Sequence, residues 1–240
     1  EQARVLWRDY AGRRWHDRLR LQWGYALKDI RYVALEGSGE ILGDRGYVTL
    51  ALVGDERDSL TDPRRGVFWS LGADLAARWL GSDVAYNKAF GQFFAYVPLG
   101  RRLVWAQGYR LGAVPGGNPL LLLEDRFRAG GANTVRGFAQ NALGPQTAEG
   151  DSLGGQALIV VNQELRFPLW KQLHGGLFYD AGNVYALASL MRPGNLRHSA
   201  GAGLRYMFPF GPLRLEYAWV IDPQPDEARG RVVFALGHAF

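Results

Sequence analysis

The sequence predicts an all-β chain folded as a transmembrane, antiparallel, up-and-down β-barrel. Three observations predict it. Hydrophobicity alternates with period two in segment after segment, and Gly, Pro and Asp clusters break the pattern. Many of the predicted strands exceed the ~5–6 residues usual in soluble sheets and fit the ~9–11 residues that cross a membrane obliquely. The composition combines 32 Gly, 8 Trp and 11 Tyr with 21% charged residues, at a mean hydropathy of only −0.16. No apolar run approaches the ~20 residues of a spanning helix; the stretch Ala157–Val161 soon meets polar residues. A barrel needs no such run, because each strand alternates lipid-facing and lumen-facing side chains.

The last segment shows the alternation most clearly. Val232, Phe234, Leu236, His238 and Phe240 fall on one face, while Arg231, Val233, Ala235, Gly237 and Ala239 fall on the other. The first face is large and apolar, as lipid requires, and the expectation is one strand running to the last residue. Working backward, strands are expected near 211–221, 197–208, 174–185, 155–167, 102–114, 84–97, 66–80, 46–57, 17–37 and 3–12. Pro98–Arg102, Phe167–Lys171 and Phe208–Pro212 read as tight turns, and Pro115–Gly154 as a long Gly-rich excursion. Short turns on one side and long loops on the other are the pattern of outer-membrane barrels. With Phe240 on the periplasmic side, the tight turns are periplasmic and the loop at 115–154 is extracellular. Single-chain bacterial barrels have even strand numbers, so a count of about eleven points to at least one strand not present here. Splitting 17–37 in two would restore parity, but Ala26–Ile30 makes a poor turn.

Composition also removes function classes. The chain has no Cys, which excludes disulfides, thiolate metal sites and Cys nucleophiles. Its net charge is +5. The basic residues are scattered, and the pairs Arg13–Arg14, Arg64–Arg65 and Arg101–Arg102 fall in turn-like sequence, which argues against nucleic acid as a partner. Glu1–Arg4 carries no basic leader or apolar core of a signal peptide. His16, His174, His198 and His238 match no metal-ligand spacing. Ser70 and Ser199 lack a hydrolase elbow, and no Gly-Lys-Ser/Thr follows Gly130-Gly131 to make a phosphate loop. No catalytic residue, metal or cofactor is therefore expected, and the chain is read as no enzyme. Trp7, Trp15, Trp23, Trp69, Trp79, Trp105, Trp170 and Trp219, with Tyr10, Tyr25 and Tyr217, read as interfacial girdle residues rather than ligand platforms.

Five motifs then occur in order. Asp55-Glu56-Arg57-Asp58 precedes Pro63-Arg64-Arg65-Gly66. The long loop holds Phe127-Arg128-Ala129-Gly130-Gly131-Ala132-Asn133-Thr134-Val135-Arg136-Gly137-Phe138. Gly154-Gly155 and Glu164 follow, then Phe178-Tyr179-Asp180-Ala181-Gly182, and finally Phe234-Ala235-Leu236-Gly237-His238-Ala239-Phe240. Together they resemble the DxRD…PxxG turn, the FxxGG…VRGF loop, the FxDxG strand and the C-terminal targeting signal of the BamA/TamA/FhaC superfamily of outer-membrane barrels. The resemblance covers nearly the whole chain, most securely 55–240. It implies a barrel of about sixteen strands, of which residues 1–240 supply eleven or twelve, without the periplasmic POTRA domains and the earliest strands.

The resemblance also implies that the 115–154 loop folds back into the lumen and that Arg136 there reaches Glu164 and Asp180. Alternation places Asp180 on one face with Phe178 and Gly182, and Glu164 with Asn162 and Arg166. A guanidinium fork suits carboxylates, and Gly130, Gly131 and Gly137 allow tight backbone turns. Without the accompanying motifs Arg136 would read as an ordinary solvated loop residue. Phe234, Leu236, Gly237 and Phe240 read either as an ordinary closing strand or as one side of a weak seam where other strands could add.

The function implied is protein assembly into, or translocation across, the bacterial outer membrane, without chemistry. The alternatives are a structural, POTRA-less barrel subunit and a two-partner-secretion pore. Implied partners are outer-membrane lipids and lipopolysaccharide, client outer-membrane or secreted proteins, and subunits of an assembly complex.

Overall fold

The computed structural model describes residues 5–8, 13–15, 19–33, 40–117, 124–209, 211–225, 227–238 and 240, with side chains at 19–28 and from 44 onward. Its strands are β1 (Val5–Arg8), β2 (Arg13–Trp15), β3 (Leu19–Val33), β4 (Glu40–Asp55), β5 (Gly66–Ala76), β6 (Tyr86–Leu99), β7 (Leu103–Ala113), β8 (Ala157–Trp170), β9 (Leu173–Tyr185), β10 (Arg197–Phe208), β11 (Gly211–Ile221) and β12 (Gly230–Leu236). They form one sheet in the order β1-β3-β4 and on to β12, each pair antiparallel. β1 lies opposite Tyr25–Lys28 of β3, and β2 opposite Leu19–Leu21. The all-β, up-and-down class read from alternation is therefore the observed one. Within 17–37, read as a single span, the described residues form the single strand β3. Tyr10 and the side chains of Trp7, Trp15 and His16 lie outside the described residues.

Several boundaries shift for local reasons. The β6–β7 and β8–β9 connections are shorter than expected, because Pro98 and Pro168 stay within the ladder, paired with Val104 and His174. Pro212 likewise pairs with Met207. β5 stops at Ala76, and residues 78–80 form a single 3-10 turn closed by Gly81.

β11 shows how the wall is built. Arg214, Glu216, Ala218 and Val220 are buried, while Leu215, Tyr217, Trp219 and Ile221 are exposed. Across the strands the exposed row continues through Leu50, Leu71, Trp105, Leu111, Leu177, Leu204, Val232 and Phe234. An apolar band of this extent fits hydrocarbon and not water. Trp23, Trp79, Trp105, Trp170 and Trp219 are all exposed.

The sheet curls around its own contents. Phe127, Ala129, Val135, Phe138 and Leu143 from the β7–β8 loop pack on inward Leu158, Val160, Val184 and Val220. A second cluster joins Phe94, Tyr96, Val104 and Ala106 of β6 and β7 to Phe240. The core is thus chain folded inside the wall, not a second sheet.

Candidate functional site

The lumen side of β8, β9, β10 and β11 carries charge at alternate positions: Glu164 and Arg166, Asp180, Arg205, and Arg214 and Glu216, all buried. Register sets Asp180 opposite Asn162 and Glu164 opposite Phe178. Gly201 faces Phe178 on the next strand. A Cβ there would stand 2.4 Å from the Phe178 ring, so glycine leaves room for that ring in the lumen.

Arg136 enters this ring from the β7–β8 loop with no solvent exposure. Its Nε and Nη2 donate to the two oxygens of Asp180 at 2.7 and 2.9 Å, and its backbone N–H donates to the same carboxylate at 3.1 Å. Nη1 donates to Glu164 at 2.9 Å and to Glu216 at 3.3 Å. The guanidinium also lies 3.5 Å from the Phe178 ring centroid. Asn162 donates to Asp180 at 2.8 Å and to the Thr134 carbonyl at 2.6 Å, which holds the loop backbone beside the wall. Val135 is fully buried, and a Cβ on Gly182 would come within 2.7 Å of it. Gly130, Gly131 and Gly137 take positive φ of 106°, 99° and 92°. Phe138 is buried, with the Arg197 guanidinium 5.1 Å from its ring.

Glu216, Arg205 and Arg214 complete the cluster, and sequence reading had not singled them out. Arg205 donates to Glu164 and Glu216, and Arg166 to Glu164 at 2.5 Å. Arg214 donates to Glu216 at 2.9 Å, to Asn133 Oδ1 at 3.2 Å and to the Gly237 carbonyl at 2.6 Å. It therefore ties the loop, the wall and the chain end together. The signal was available in the sequence: charged residues occupy the face of β11 opposite its aromatic row.

The chain end corrects one expectation. β12 stops at Leu236; Val232, Phe234 and Leu236 of the predicted lipid-facing row are exposed, whereas His238 and Phe240 are not. Gly237 has φ +89°, which turns the chain inward. Phe240 is buried against Phe94, at a centroid distance of 5.8 Å. Its backbone oxygen accepts from the Tyr96 hydroxyl at 3.1 Å, and His238 Nε2 meets the Thr61 carbonyl at 2.8 Å. The physical reason is that the lumen offers Phe240 an aromatic cluster, and a bend at a glycine costs little. In the turn that receives His238, Arg57 donates to Asp55 at 2.8 and 2.9 Å, and Asp58 accepts from the backbone of Arg64 and Arg65.

A strand wall, a loop locked into the lumen through Arg136 and an inturned chain end are now in place. The family model for the Omp85 superfamily domain matches residues 11–240. The chain belongs to the Omp85 superfamily. The motif resemblance and this membership agree. Outer membrane protein assembly factor BamA of Nitratidesulfovibrio vulgaris is 28% identical over 234 residues, covering 91% of this chain and 29% of that protein. BamA of Neisseria meningitidis is 26% identical, covering 82% and 29%. The mouse sorting and assembly machinery component 50 homolog is 28% identical, covering 78% and 40%. The crystal structure of BamA from Haemophilus ducreyi lacking POTRA domains 1–3 superposes with a TM-score of 0.71 at 21% identity, covering 90% of this chain and 49% of that one. The Omp85 chain thus spans less than half the length of each of these relatives, and over the matched part it shares the antiparallel, up-and-down strand fold of the solved one.

Proposed function

We propose that this chain is the membrane-embedded part of an assembly factor that inserts β-barrel proteins into the bacterial outer membrane. The observation that carries the proposal is the length of β12. Inward bending at Gly237 leaves it seven residues, against 11 to 16 for β3 to β11. Among the described residues it pairs on one side only, with β11. A short strand offers few backbone hydrogen bonds to whatever lies on its free side. Such a seam opens at low cost and presents unpaired N–H and C=O groups to an incoming strand. Val232, Phe234 and Leu236 would meet lipid beside that strand.

The names of the BamA and component 50 relatives support assembly as the task. The work is non-enzymatic in this reading, with no cofactor. Arg136, Glu164, Asp180 and Glu216 hold the loop, and Arg214 transmits its position to the inturned end. The loop side faces outward, and the tight turns and Phe240 face the periplasm. Clients are unfolded outer-membrane proteins, and further assembly subunits act at the periplasmic side.

The test is client folding into liposomes holding the full-length native chain. Heat-modifiable mobility of an outer-membrane barrel client should appear faster than in protein-free liposomes. Equal rates would contradict the proposal.

A further inference from the structure

The outer wall carries a polar patch that hydrocarbon does not explain. Gln107 of β7 and Gln163 of β8 stand directly opposite each other in the ladder. Both point outward: Gln107 shares its face with exposed Trp105, Tyr109 and Leu111, and Gln163 alternates with buried Asn162 and Glu164. Each lies well inside its strand, Gln107 as the fifth of 11 residues and Gln163 as the seventh of 14. The ladder row through them climbs from Val67, near the turn end of β5, to Trp219, near the loop end of β11. The pair therefore sits near mid-height of the lipid-facing band, where an outer-membrane barrel is otherwise apolar.

Trp105 Nε1 donates to Gln163 Oε1 at 2.9 Å, Gln163 Nε2 donates to the Tyr109 hydroxyl at 3.2 Å, and that hydroxyl donates to Gln107 Oε1 at 3.0 Å. These bonds leave both N–H groups of Gln107 and one of Gln163 without an acceptor among the described residues. Each amide oxygen also keeps a second lone pair. Acyl chains supply neither donor nor acceptor, so lipid over this patch leaves polar groups unpaired at a cost. A surface with spare donors and spare acceptors side by side is complementary to itself. Next to the patch the wall has a dent of about 510 Å³ with an almost wholly apolar lining, floored by Gly91 between Leu71, Phe93 and Leu111. It has room for a bulky apolar side chain from a facing surface.

We propose that this patch is an interface at which two copies of the chain meet side by side in the membrane. In a twofold contact the same patch faces itself, so the spare N–H groups of each copy donate to the spare amide lone pairs of the other. Amide side chains join protein surfaces within bilayers in this way. Apolar side chains of one wall enter the dent of the other. β8 lies four strands from β12 in the sheet, so the paired copies leave the free side of β12 open on each.

The test is site-specific photo-cross-linking in cells that make the full-length native chain at its natural level, half of it with one affinity tag and half with another. The photo-reactive residue p-benzoylphenylalanine replaces Leu165, which lies opposite Trp105, or, as the control, exposed Leu50 on β4. A cross-linked species of twice the chain's mass that carries both tags is expected from position 165 and not from position 50. Replacing both glutamines, Gln107→Leu with Gln163→Leu, suits a lipid-facing wall, so heat-modifiable mobility should be kept. The species with both tags should then fall at least about fivefold, as loss of two or more hydrogen bonds within the bilayer implies. If that variant does not fold, the comparison of the two positions decides alone. No species with both tags at position 165, or equal yields at 165 and 50, would overturn the proposal. So would cross-links from 165 to another protein alone, or a yield that the folded double variant leaves unchanged.

Discussion

Replacing Arg136 by Ala removes the cation that joins three strands to the loop. Glu164 keeps Arg166 and Arg205, and Glu216 keeps Arg205 and Arg214. Asp180 fares worst, because its remaining partners are the residue 136 backbone N–H and Asn162, neither of them charged. A fully buried carboxylate left without its counter-ion is the case in which breaking a buried pair costs about 3–5 kcal/mol. At roughly 2–4 °C per kcal/mol for a chain of 150–250 residues, the unfolding midpoint should fall by about 6–20 °C. The assay is tryptophan fluorescence on heating in detergent, with heat-modifiable gel mobility as the companion. If unfolding proves irreversible, half-lives at a fixed temperature replace midpoints. Arg136→Lys keeps the charge but loses the fork, and should fall between parent and Ala. A midpoint for Arg136→Ala within a degree of the parent, with unchanged mobility, would refute the assignment of the loop lock to this residue.

Three further outcomes are expected. Deleting Phe240 empties the cluster of Phe94, Tyr96 and Val104 and should lower the fraction of chain assembled in the outer membrane; normal surface exposure of the truncated chain would count against this. Gly237→Val places a side chain at φ +89° with no neighbour within 4 Å, so its cost is backbone strain alone, about 1–3 kcal/mol. It should release the chain end, read as faster maleimide labelling of a cysteine introduced at His238, and an unchanged rate would refute it. His238 lies past the end of β12, where burial and then the nearby Arg166 charge push its pKa down to about 4. The folded state therefore resists the proton that the unfolded state accepts near 6.5. Docking of the chain end is at full strength above that pH and weakens as pH falls toward 4. His238→Gln should show a smaller loss of stability across that window, and an identical loss would exclude the histidine as its source.

How much was legible follows from where each residue's environment is set. Period-two alternation reports one wall with lipid on one side, so β3 to β11 could be read from local pattern. Asp180 and Glu164 shared faces with their neighbours for the same reason. Arg136 was different: nothing in its own stretch distinguishes a lumen plug from a solvated loop, and only the resemblance named its partners. Alternation puts Arg214 and Glu216 on the inward face of β11, opposite its aromatic row, but it names a face and not the partners that these residues and Arg205 find there. The bend at Gly237 was not legible. Alternation continues unbroken through His238 and Phe240, and the inward turn is decided by an aromatic cluster built on Phe94 and Tyr96, more than 140 residues away.

The claim that β12 is the working seam is tested most directly by cross-linking, which the absence of cysteine from residues 1–240 favours. A cysteine introduced at Val232 in the full-length chain, matched with single cysteines along a stalled client's terminal strand, should give a disulfide at the one client position that lies opposite it and none at positions two or more away. Disulfides formed only within the chain itself, with none to the client, would contradict it.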